Sequence, residues 1–291
     1  MKLTFIGLGV MGYPMAGHLQ KAGFDVCVYN RTTEKAQKWA KDFGGTYAET
    51  PALASEHADI VLICVGNDND VRSMIVGTGD QLGILSTIKT CAIIVDHTTT
   101  SDTLAKEMAK TSATQGVKFI DAPLSGGQAG AENAQLAIMV GGDKGVLAEV
   151  EPVLNTYAKS LQHMGDVGAG QSTKMVNQVL IAGVLQGIAE GFVLSKKSGL
   201  DFSQVVDAIS AGAAGSWQLS NRGTNIDKDV FDYGFAIDWM CKDLGFCLDA
   251  AKRYDIKLPN TESVIQRYKE LQSKGLNRCD TSILVKQYEN L

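Results

Sequence analysis

The sequence predicts an α/β fold, in which a Rossmann-like doubly wound sheet is followed by an all-α domain opened by a long interdomain helix. Three observations support this prediction. A short apolar strand leads directly into the glycine-rich turn Gly7-Leu8-Gly9-Val10-Met11-Gly12. Apolar strands then alternate with helical segments, and from Gln171 onward the pattern becomes helical only. We therefore expect two domains, residues 1–165 and 166–291.

The composition excludes several classes of partner. The 291 residues are 45% apolar and 20% charged and carry a net charge of −5, so the chain lacks the basic surface that nucleic-acid binding needs. No stretch reaches 18 uninterrupted apolar residues, which predicts no membrane span. The glycine-rich start continues into folded-looking sequence, so we expect no signal peptide. The six cysteines include no C-x-x-C pair, and we expect reduced, mostly buried thiols in a cytoplasmic protein.

The glycine turn lies in the context that a dinucleotide site requires. Lys2 to Ile6 is a predicted strand, a helical segment follows the turn and ends at Gly23, and Asp25 to Tyr29 is a second strand. Glycines at these spacings permit the tight turn and the close approach of a pyrophosphate, which the first amides of the helix then face. The alternative is a tight turn without a ligand. We expect cofactor contacts from Gly7, Leu8, Gly9, Val10, Met11 and Gly12.

The residues after the second strand indicate which dinucleotide binds. NAD-specific sheets place Asp or Glu here to accept hydrogen bonds from the ribose hydroxyls. This chain has Asn30, Arg31 and Thr32, with Lys35 one turn later. Because no carboxylate repels a 2′-phosphate and a guanidinium can pair with it, we expect NADP, with NAD as the alternative cofactor. An exposed arginine after a strand is also commonplace, so a purely structural Arg31 stays open.

Polar loops follow the other predicted strands as well. They are Gly66-Asn67 after Ile60 to Val65, residues 96–100 after Ala92 to Val95, and residues 121–127 after Lys118 to Ile120. Ligands of doubly wound sheets bind beyond the carboxyl ends of the strands, so we expect cofactor contacts from Val65, Gly66 and Asn67. The turn Ser125-Gly126-Gly127 suits a carboxylate, because successive backbone N–H groups form an anion nest. The alternative is a plain polar turn.

The long helix carries Lys174, Asn177 and Gln178 in its first turns. At positions i, i+3 and i+4 these side chains share one face. A lysine there can act as general acid or base for a carbonyl oxygen that hydride transfer reduces. From the spacing alone, a solvated Lys174 is an equally good interpretation, and Gln178 could be a core amide. The four histidines show no metal-ligand spacing, so we expect no metal site.

Four separated sequence motifs indicate a specific protein family as well as a fold. They are GLGVMGYPMAGHLQKAG (7–23), DAPLSGG (121–127), GAGQSTKMVNQ (168–178) and KDLGFCLDAA (242–251). In this order and at these spacings they resemble the β-hydroxyacid dehydrogenase family, which includes 3-hydroxyisobutyrate dehydrogenase, tartronate semialdehyde reductase and the glyoxylate/succinic semialdehyde reductases. The resemblance covers essentially the whole chain.

The resemblance implies roles for individual residues. Lys174 matches the catalytic lysine, and Ser125, Gly126 and Gly127 match the turn that binds the substrate carboxylate. The resemblance also implies substrate contacts from Asn177, Gln178, Phe235 and Asp243, and cofactor contacts from Thr99 and Lys242. It implies a helical domain that buries surface in a homodimer or homotetramer. The expected substrate is a small carboxylate, a 3-hydroxyacid or its semialdehyde.

Two departures and three alternatives accompany this expectation. The loop after Val65 lacks the proline common there, and His97 replaces a small or apolar residue; we expect His97 to hydrogen-bond the neighbouring threonines rather than to catalyse. A glyoxylate/succinic semialdehyde reductase is the near alternative. An imine reductase or a non-catalytic NADP-binding protein is disfavoured because Lys174 and the Ser125 turn are both retained. We expect Trp217 and Trp239 in the core or in a subunit interface.

Overall fold

The computed structural model describes residues 1–288. The sequence also predicts a closing segment, SILVKQYENL (282–291), whose last three residues lie outside the described range. The chain forms two compact units, Met1–Lys174 and Met175–Leu291. This division comes later in the chain than the domain boundary expected near residue 165. The reason is that the first turns of the long helix are hydrogen-bonded to strand ends of the first unit, as described below.

The first unit alternates strands and helices. In chain order they are β1 (Lys2–Ile6), α1 (Gly12–Lys21), β2 (Asp25–Tyr29), α2 (Thr33–Phe43), β3 (Thr46–Tyr47), α3 (Pro51–Ser55), β4 (Ile60–Ile63), α4 (Asp68–Val76), β5 (Gly77–Thr78), β6 (Gln81–Leu82), a 3₁₀ turn (Ile84–Ser86), β7 (Ile93–Asp96), α5 (Asp102–Ala113), β8 (Lys118–Asp121), β9 (Leu124–Ser125), α6 (Gly127–Glu132), β10 (Leu136–Gly141), α7 (Lys144–Leu154) and β11 (Ala158–Gly165).

The main sheet has the strand order β11-β10-β8-β7-β4-β1-β2-β3, with β9 paired to β10. Its pairs are parallel except those of β10 with β8 and β9. The register aligns Ile6 with Ile63, Ile63 with Asp96, and Asp96 with Asp121. Strands β1, β4, β7 and β8 therefore end level with one another, and we call this side of the sheet the carboxyl edge. The predicted doubly wound sheet is confirmed.

Apolar side chains cover both faces of the sheet. On one face the cluster includes Phe5, Met15, Trp39 and Leu154, from β1 and from helices α1, α2 and α7. On the other face it includes Val71 and Met108, from α4 and α5. Burial on both faces explains why β4 and the first three residues of β7 are continuous apolar runs in the sequence.

Strand β11 was missed in the sequence. Its residues AKSLQHMG are mostly exposed or half-buried, because β11 is the edge strand of the sheet and pairs only with β10 among the described residues. An edge strand with one neighbour needs no continuous apolar run. The short helices α2, α3, α4 and α6 were also not predicted individually.

The second unit is helical. Helix α8 (Ala169–Lys197) begins in the first unit and continues into the second, where α9 (Phe202–Ile209), α10 (Trp217–Asp227), α11 (Ile237–Arg253), α12 (Pro259–Ser273) and a 3₁₀ segment (Thr281–Gln287) follow. Asp201 and Ser216 cap α9 and α10 by accepting hydrogen bonds from Gln204 and Leu219. The core of this unit contains Leu185, Phe192, Leu244 and Tyr268. The predicted all-α region is confirmed.

Helix α8 is the one helix in residues 1–288 whose length and composition would allow it to cross a membrane, with an 18-residue window of mean hydropathy 1.5. The core helix of a soluble protein meets the same criterion. Here Ala182, Leu185, Ala189 and Phe192 are buried in the core of the second unit. One face of α8 is therefore part of this core, whereas other positions of the same helix, such as Leu180 and Leu194, are exposed.

Candidate functional site

The glycine turn between β1 and α1 has the shape of a phosphate site. Gly7 has φ +98°, and a Cβ there would lie 2.2 Å from the carbonyl oxygen of Cys64; a Cβ on Gly12 would lie 2.0 Å from that of Gly7. A Cβ on Gly9, by contrast, would meet nothing within 4 Å. The outer glycines thus allow close packing, whereas the backbone at Gly9 is open to a ligand at the amino end of α1. These residues fit a dinucleotide pyrophosphate.

The end of β2 carries Asn30 and Arg31. The Asn30 side chain accepts a hydrogen bond from Leu8 N at 2.9 Å and donates to Thr32 O at 3.0 Å, so it holds the glycine turn against β2. The Arg31 side chain is 88% exposed, and its Nη1 lies 3.8 Å from Asp70 Oδ1. Lys35 is exposed in α2. Sequence reasoning missed Asp70, a carboxylate that faces the guanidinium expected to bind the 2′-phosphate.

The loops after β4 and β7 are tied to each other at the carboxyl edge. Val65 N donates to Thr98 Oγ1 at 3.0 Å. Asn67 caps α4 by accepting from Asp70 N at 3.0 Å. The half-buried Thr99 follows Thr98 directly, and the half-buried Gly66 precedes the cap. The predicted contacts Val65, Gly66, Asn67 and Thr99 therefore lie on loops that follow neighbouring strands.

The turn after β9 is Ser125-Gly126-Gly127. Ser125 is half-buried, and the two glycines are exposed with φ of +134° and +61°. Such positive φ values are strained for residues with a side chain, and they allow successive N–H groups to face the same side, as an anion nest requires. The geometry of the turn fits a carboxylate.

Two buried carboxylates lie side by side at the carboxyl edge, at the aligned positions Asp96 and Asp121. Asp121 accepts hydrogen bonds from Gly168 N at 2.7 Å and Gln171 N at 2.8 Å, and so caps α8 from a distant strand. Burial raises the pKa of Asp121 to about 6, although these backbone donors act in the opposite direction. Burial also raises the pKa of Asp96 to about 7, with the charge of Asp121 adding to the effect.

Lys174 lies in the second turn of α8 and is buried, with 8% of its surface exposed. The solvated lysine that spacing alone allowed is therefore wrong. The capped start of α8 fixes the helix that carries Lys174 at the same carboxyl edge as the glycine turn, the Thr99 loop and Asp121.

In the second unit four predicted site residues form one connected chain. Asn177 Nδ2 donates to Gln178 Oε1 at 2.7 Å, and Gln178 Nε2 donates to Asp243 Oδ2 at 2.7 Å. Lys242 Nζ lies 3.2 Å from Asp243 Oδ1 and 5.4 Å from the centre of the Phe246 ring. Asp243 is 2% exposed, and its two oxygens face one amide and one ammonium group. Asp243 is thus placed to orient Gln178 and Lys242.

Phe235 is held by a buried ion pair that sequence reasoning missed. Arg222 binds Asp280 through two hydrogen bonds of 2.8 and 2.9 Å, and Asp280 Oδ2 also accepts from Phe235 N at 2.8 Å. Trp217 is 58% exposed and stacks on the Arg222 guanidinium at 5.0 Å. Trp239 is 38% exposed, so neither tryptophan is a core residue, and their place in a subunit interface stays a prediction.

His97 does not bond the threonines that we expected as its partners. Its Nδ1 donates to Ala122 O at 2.7 Å, and its Nε2 accepts from the Tyr157 hydroxyl at 2.9 Å. The ring is 2% exposed, and burial lowers the pKa of His97 to about 4. His97 is thus a neutral core residue at physiological pH. Its partners are distant in sequence, so no local pattern could identify them.

Two further expectations concern metals and cysteines. Residues 1–288 contain no group of three His, Cys, Asp or Glu side chains that could hold a metal ion. None of the six cysteines forms a disulfide in residues 1–288; Cys247 is buried, Cys91 is exposed and the other four are half-buried. The expectation of mostly buried thiols is therefore wrong.

Comparison with known proteins matches nearly the whole chain. Residues 2–165 match the family model described as the NAD binding domain of 6-phosphogluconate dehydrogenase. Residues 168–288 match the model described as NAD-binding of NADP-dependent 3-hydroxyisobutyrate dehydrogenase.

Individual relatives agree with these matches. An oxidoreductase of Shewanella frigidimarina is 50% identical over 288 residues, which cover 99% of this chain and 98% of the relative. The 2-hydroxy-3-oxopropionate reductase of Escherichia coli is 33% identical, with 99% and 97% covered. The structure of Mycobacterium tuberculosis 3-hydroxyisobutyrate dehydrogenase with L-serine is 30% identical and superposes with a TM-score of 0.88, with 99% and 98% covered.

Proposed function

The chain belongs to the 3-hydroxyisobutyrate dehydrogenase family of NAD(P)-dependent oxidoreductases, and from this premise we propose an NADP-preferring dehydrogenase of small 3-hydroxyacids with Lys174 as general acid and base. One observation carries the proposal. A buried lysine sits on a helix whose capped start lies at the same carboxyl edge as the glycine turn, the Thr99 loop and Asp121. Lysine side chains are rarely buried in proteins, so the burial of Lys174 at this edge favours a functional role over a solvated surface position.

The chemistry requires a proton at one oxygen atom. When bound, the nicotinamide supplies or accepts the hydride. Reduction of a carbonyl builds negative charge on its oxygen, which the Lys174 ammonium group stabilises and then protonates. In the oxidation direction the neutral amine takes the hydroxyl proton. Ser125, Gly126 and Gly127 hold the substrate carboxylate with a hydroxyl and backbone N–H groups. By resemblance, we assign further substrate contacts to Asn177, Gln178, Phe235 and Asp243.

Replacing Lys174 with alanine tests the assignment of the acid–base group. We expect Lys174→Ala to lower kcat by about 100-fold or more, since general acid–base groups contribute that much. Binding of the dinucleotide, measured by quenching of protein fluorescence, should stay within about threefold of the unmodified chain. Lys197→Ala, at the exposed end of the same helix, is the matched control. Turnover of Lys174→Ala within about tenfold of the original would show that the assignment is wrong.

The preference for NADP rests on Arg31, supported by the absence of a carboxylate from Asn30 to Thr33. We expect Arg31→Asp to shift the ratio of kcat/KM for NADPH over NADH towards NADH by about tenfold or more, since it removes a phosphate partner and adds a repelling charge. Lys41→Asp, on the exposed side of α2, controls for net charge. An unchanged ratio for Arg31→Asp would contradict the role of Arg31. Lys35, one turn after Arg31, is a further proposed cofactor contact. The family resemblance implies two more, Thr99 and Lys242.

The substrate is a carboxylate with a hydroxyl or aldehyde one carbon beyond Cα. Candidates are 3-hydroxyisobutyrate, tartronate semialdehyde, serine and threonate, with glyoxylate or succinic semialdehyde as the alternative. Among relatives, the Escherichia coli enzyme is named for 2-hydroxy-3-oxopropionate, and the Mycobacterium tuberculosis structure contains L-serine. Rates with NADPH and NADH across this panel rank the candidates. No turnover of any 3-hydroxyacid or semialdehyde would refute the proposed reaction.

We also propose a cytoplasmic homo-oligomer, a dimer or tetramer, that binds neither nucleic acid nor membrane. Helix α8 presents an exposed apolar stripe in the second unit, formed by Val176, Leu180, Val184, Gly187, Gly191 and Leu194. The spacing of three and four residues suits packing against another helix. We expect Leu180→Asp to lower the mass seen by light scattering after gel filtration. Leu82→Asp, equally exposed in the first unit, should leave that mass unchanged.

A further inference from the structure

We propose that Gln171 is a positioning residue. Its side chain fixes the position of the helix that carries Lys174 relative to the loop that carries Thr99. This inference rests on the proposed function, because it takes Lys174 as the acid–base group and Thr99 as a cofactor contact. Gln171 belongs to none of the predicted site residues, although it lies within the GAGQSTKMVNQ stretch.

The Gln171 side chain forms hydrogen bonds with the backbone on both sides of Thr99. Its Nε2 donates to Thr98 O at 2.7 Å, and its Oε1 accepts from Thr100 N at 3.0 Å. The residue is completely buried. A single amide thus fixes the residues before and after Thr99, as a neighbouring strand would.

The backbone of Gln171 is fixed as well. Its N–H donates to Asp121 Oδ2 at 2.8 Å, and Asp121 also accepts from Gly168 N and from Gly170 N. A Cβ on Gly170 would lie 2.4 Å from Met139 O, so this first turn packs directly on the sheet. Lys174 follows Gln171 by three residues, which is about one helical turn. The helix start is therefore anchored at its backbone and coupled to the Thr99 loop through one side chain.

Glutamine is the side chain that this position requires. The Thr98 carbonyl needs a donor and the Thr100 amide needs an acceptor, and a neutral amide supplies both. A glutamate would add a third carboxylate to the buried Asp96 and Asp121, and a lysine could not accept a hydrogen bond. Because a misplacement of about 1 Å can cost about 100-fold in rate, coupling of this loop to the helix of Lys174 affects turnover directly.

Gln171→Met tests the coupling, because methionine has a similar length and no amide. We expect kcat per dinucleotide site, counted by fluorescence titration, to fall by about 10- to 100-fold. The deuterium isotope effect with 4-deuterated NADPH should rise, since hydride transfer becomes slower than the other steps. Gln20→Met is the matched control, since its Oε1 is buried without a hydrogen-bond partner in α1. A merely structural role would lower the number of sites and leave kcat per site and the isotope effect unchanged; that result overturns the proposal.

Gln171→Glu gives an independent test that does not depend on the methionine variant folding. When protonated, the introduced carboxyl group can donate to Thr98 O and accept from Thr100 N; when ionised, it cannot donate. The ratio of its kcat to that of the unmodified enzyme should therefore rise by about tenfold or more as pH falls from about 8.5 to 6. A ratio that is constant over this range contradicts the proposal.

The proposed function and the proposed role of Gln171 can be refuted independently of each other. An active Lys174→Ala variant would refute the proposed function, whatever the Gln171 variants do. An inactive Lys174→Ala variant, together with Gln171→Met and Gln171→Glu variants that behave like the unmodified enzyme, would refute only the role of Gln171.

Discussion

Asp96 gives the sharpest prediction about stability. Its side chain is completely buried, Oδ1 accepts from Thr98 N at 2.9 Å, and Oδ2 has no hydrogen-bond partner among the described residues. Burial raises the pKa of Asp96 from its ordinary 3.8 to about 7. The folded state therefore keeps a proton that the unfolded chain releases near pH 4, and stability is lost as pH rises towards 7.

The size of this loss follows from the shift in pKa. A difference of one pKa unit between the folded and unfolded states corresponds to about 1.4 kcal/mol of unfolding free energy. For Asp96, the loss of unfolding free energy between about pH 5 and pH 8 is about 2 to 3 kcal/mol. Asp96→Asn removes this titration. We therefore expect the variant, relative to the unmodified chain, to be about 2 to 3 kcal/mol more stable at pH 8 than at pH 5. His97 contributes in the opposite direction, since burial lowers its pKa to about 4, but it is present in both proteins and cancels in the difference.

Urea unfolding at pH 5 and pH 8 measures this difference. With Trp217 and Trp239 replaced by phenylalanine, the completely buried Trp39 alone reports on the first unit. Ser112→Ala is the matched control, because it removes a buried hydroxyl that has no partner among residues 1–288 and cannot titrate in this range. A free-energy change for Asp96→Asn that is equal at both pH values, within about 0.5 kcal/mol, would refute the reasoning.

Three further predictions concern both units. Gly170→Ala should destabilise the first unit by about 3 kcal/mol or more in urea unfolding, because its Cβ would lie 2.8 Å from a carboxylate oxygen of Asp121. Asp70→Asn should tighten NADPH binding by about two- to fivefold at low salt and leave NADH unchanged in fluorescence titrations, since it frees Arg31. Arg222→Met should destabilise the second unit by about 3 to 5 kcal/mol, because it leaves a buried carboxylate without its cation; a smaller loss in urea unfolding would contradict this.

The sequence alone determined the fold class and the identity of most candidate groups. Local patterns were sufficient because a strand, a glycine turn and a helix within 30 residues are recognisable without distant contacts. Strands β1 and β2 have the predicted bounds. The edge strand β11 was missed because it is exposed and lacks an apolar run.

Only the tertiary structure decided how the groups at the carboxyl edge are held. Asp121 and Gln171 are 50 residues apart, and Gln171 lies 73 residues from Thr98, yet hydrogen bonds join each pair. His97 likewise forms a hydrogen bond with Tyr157 rather than with the adjacent threonines. Hydrogen bonds of buried polar groups depend on which strands become neighbours, and strand order is a property of the whole sheet. The sequence therefore named Lys174, whereas the fold alone revealed the amide and carboxylate that anchor its helix.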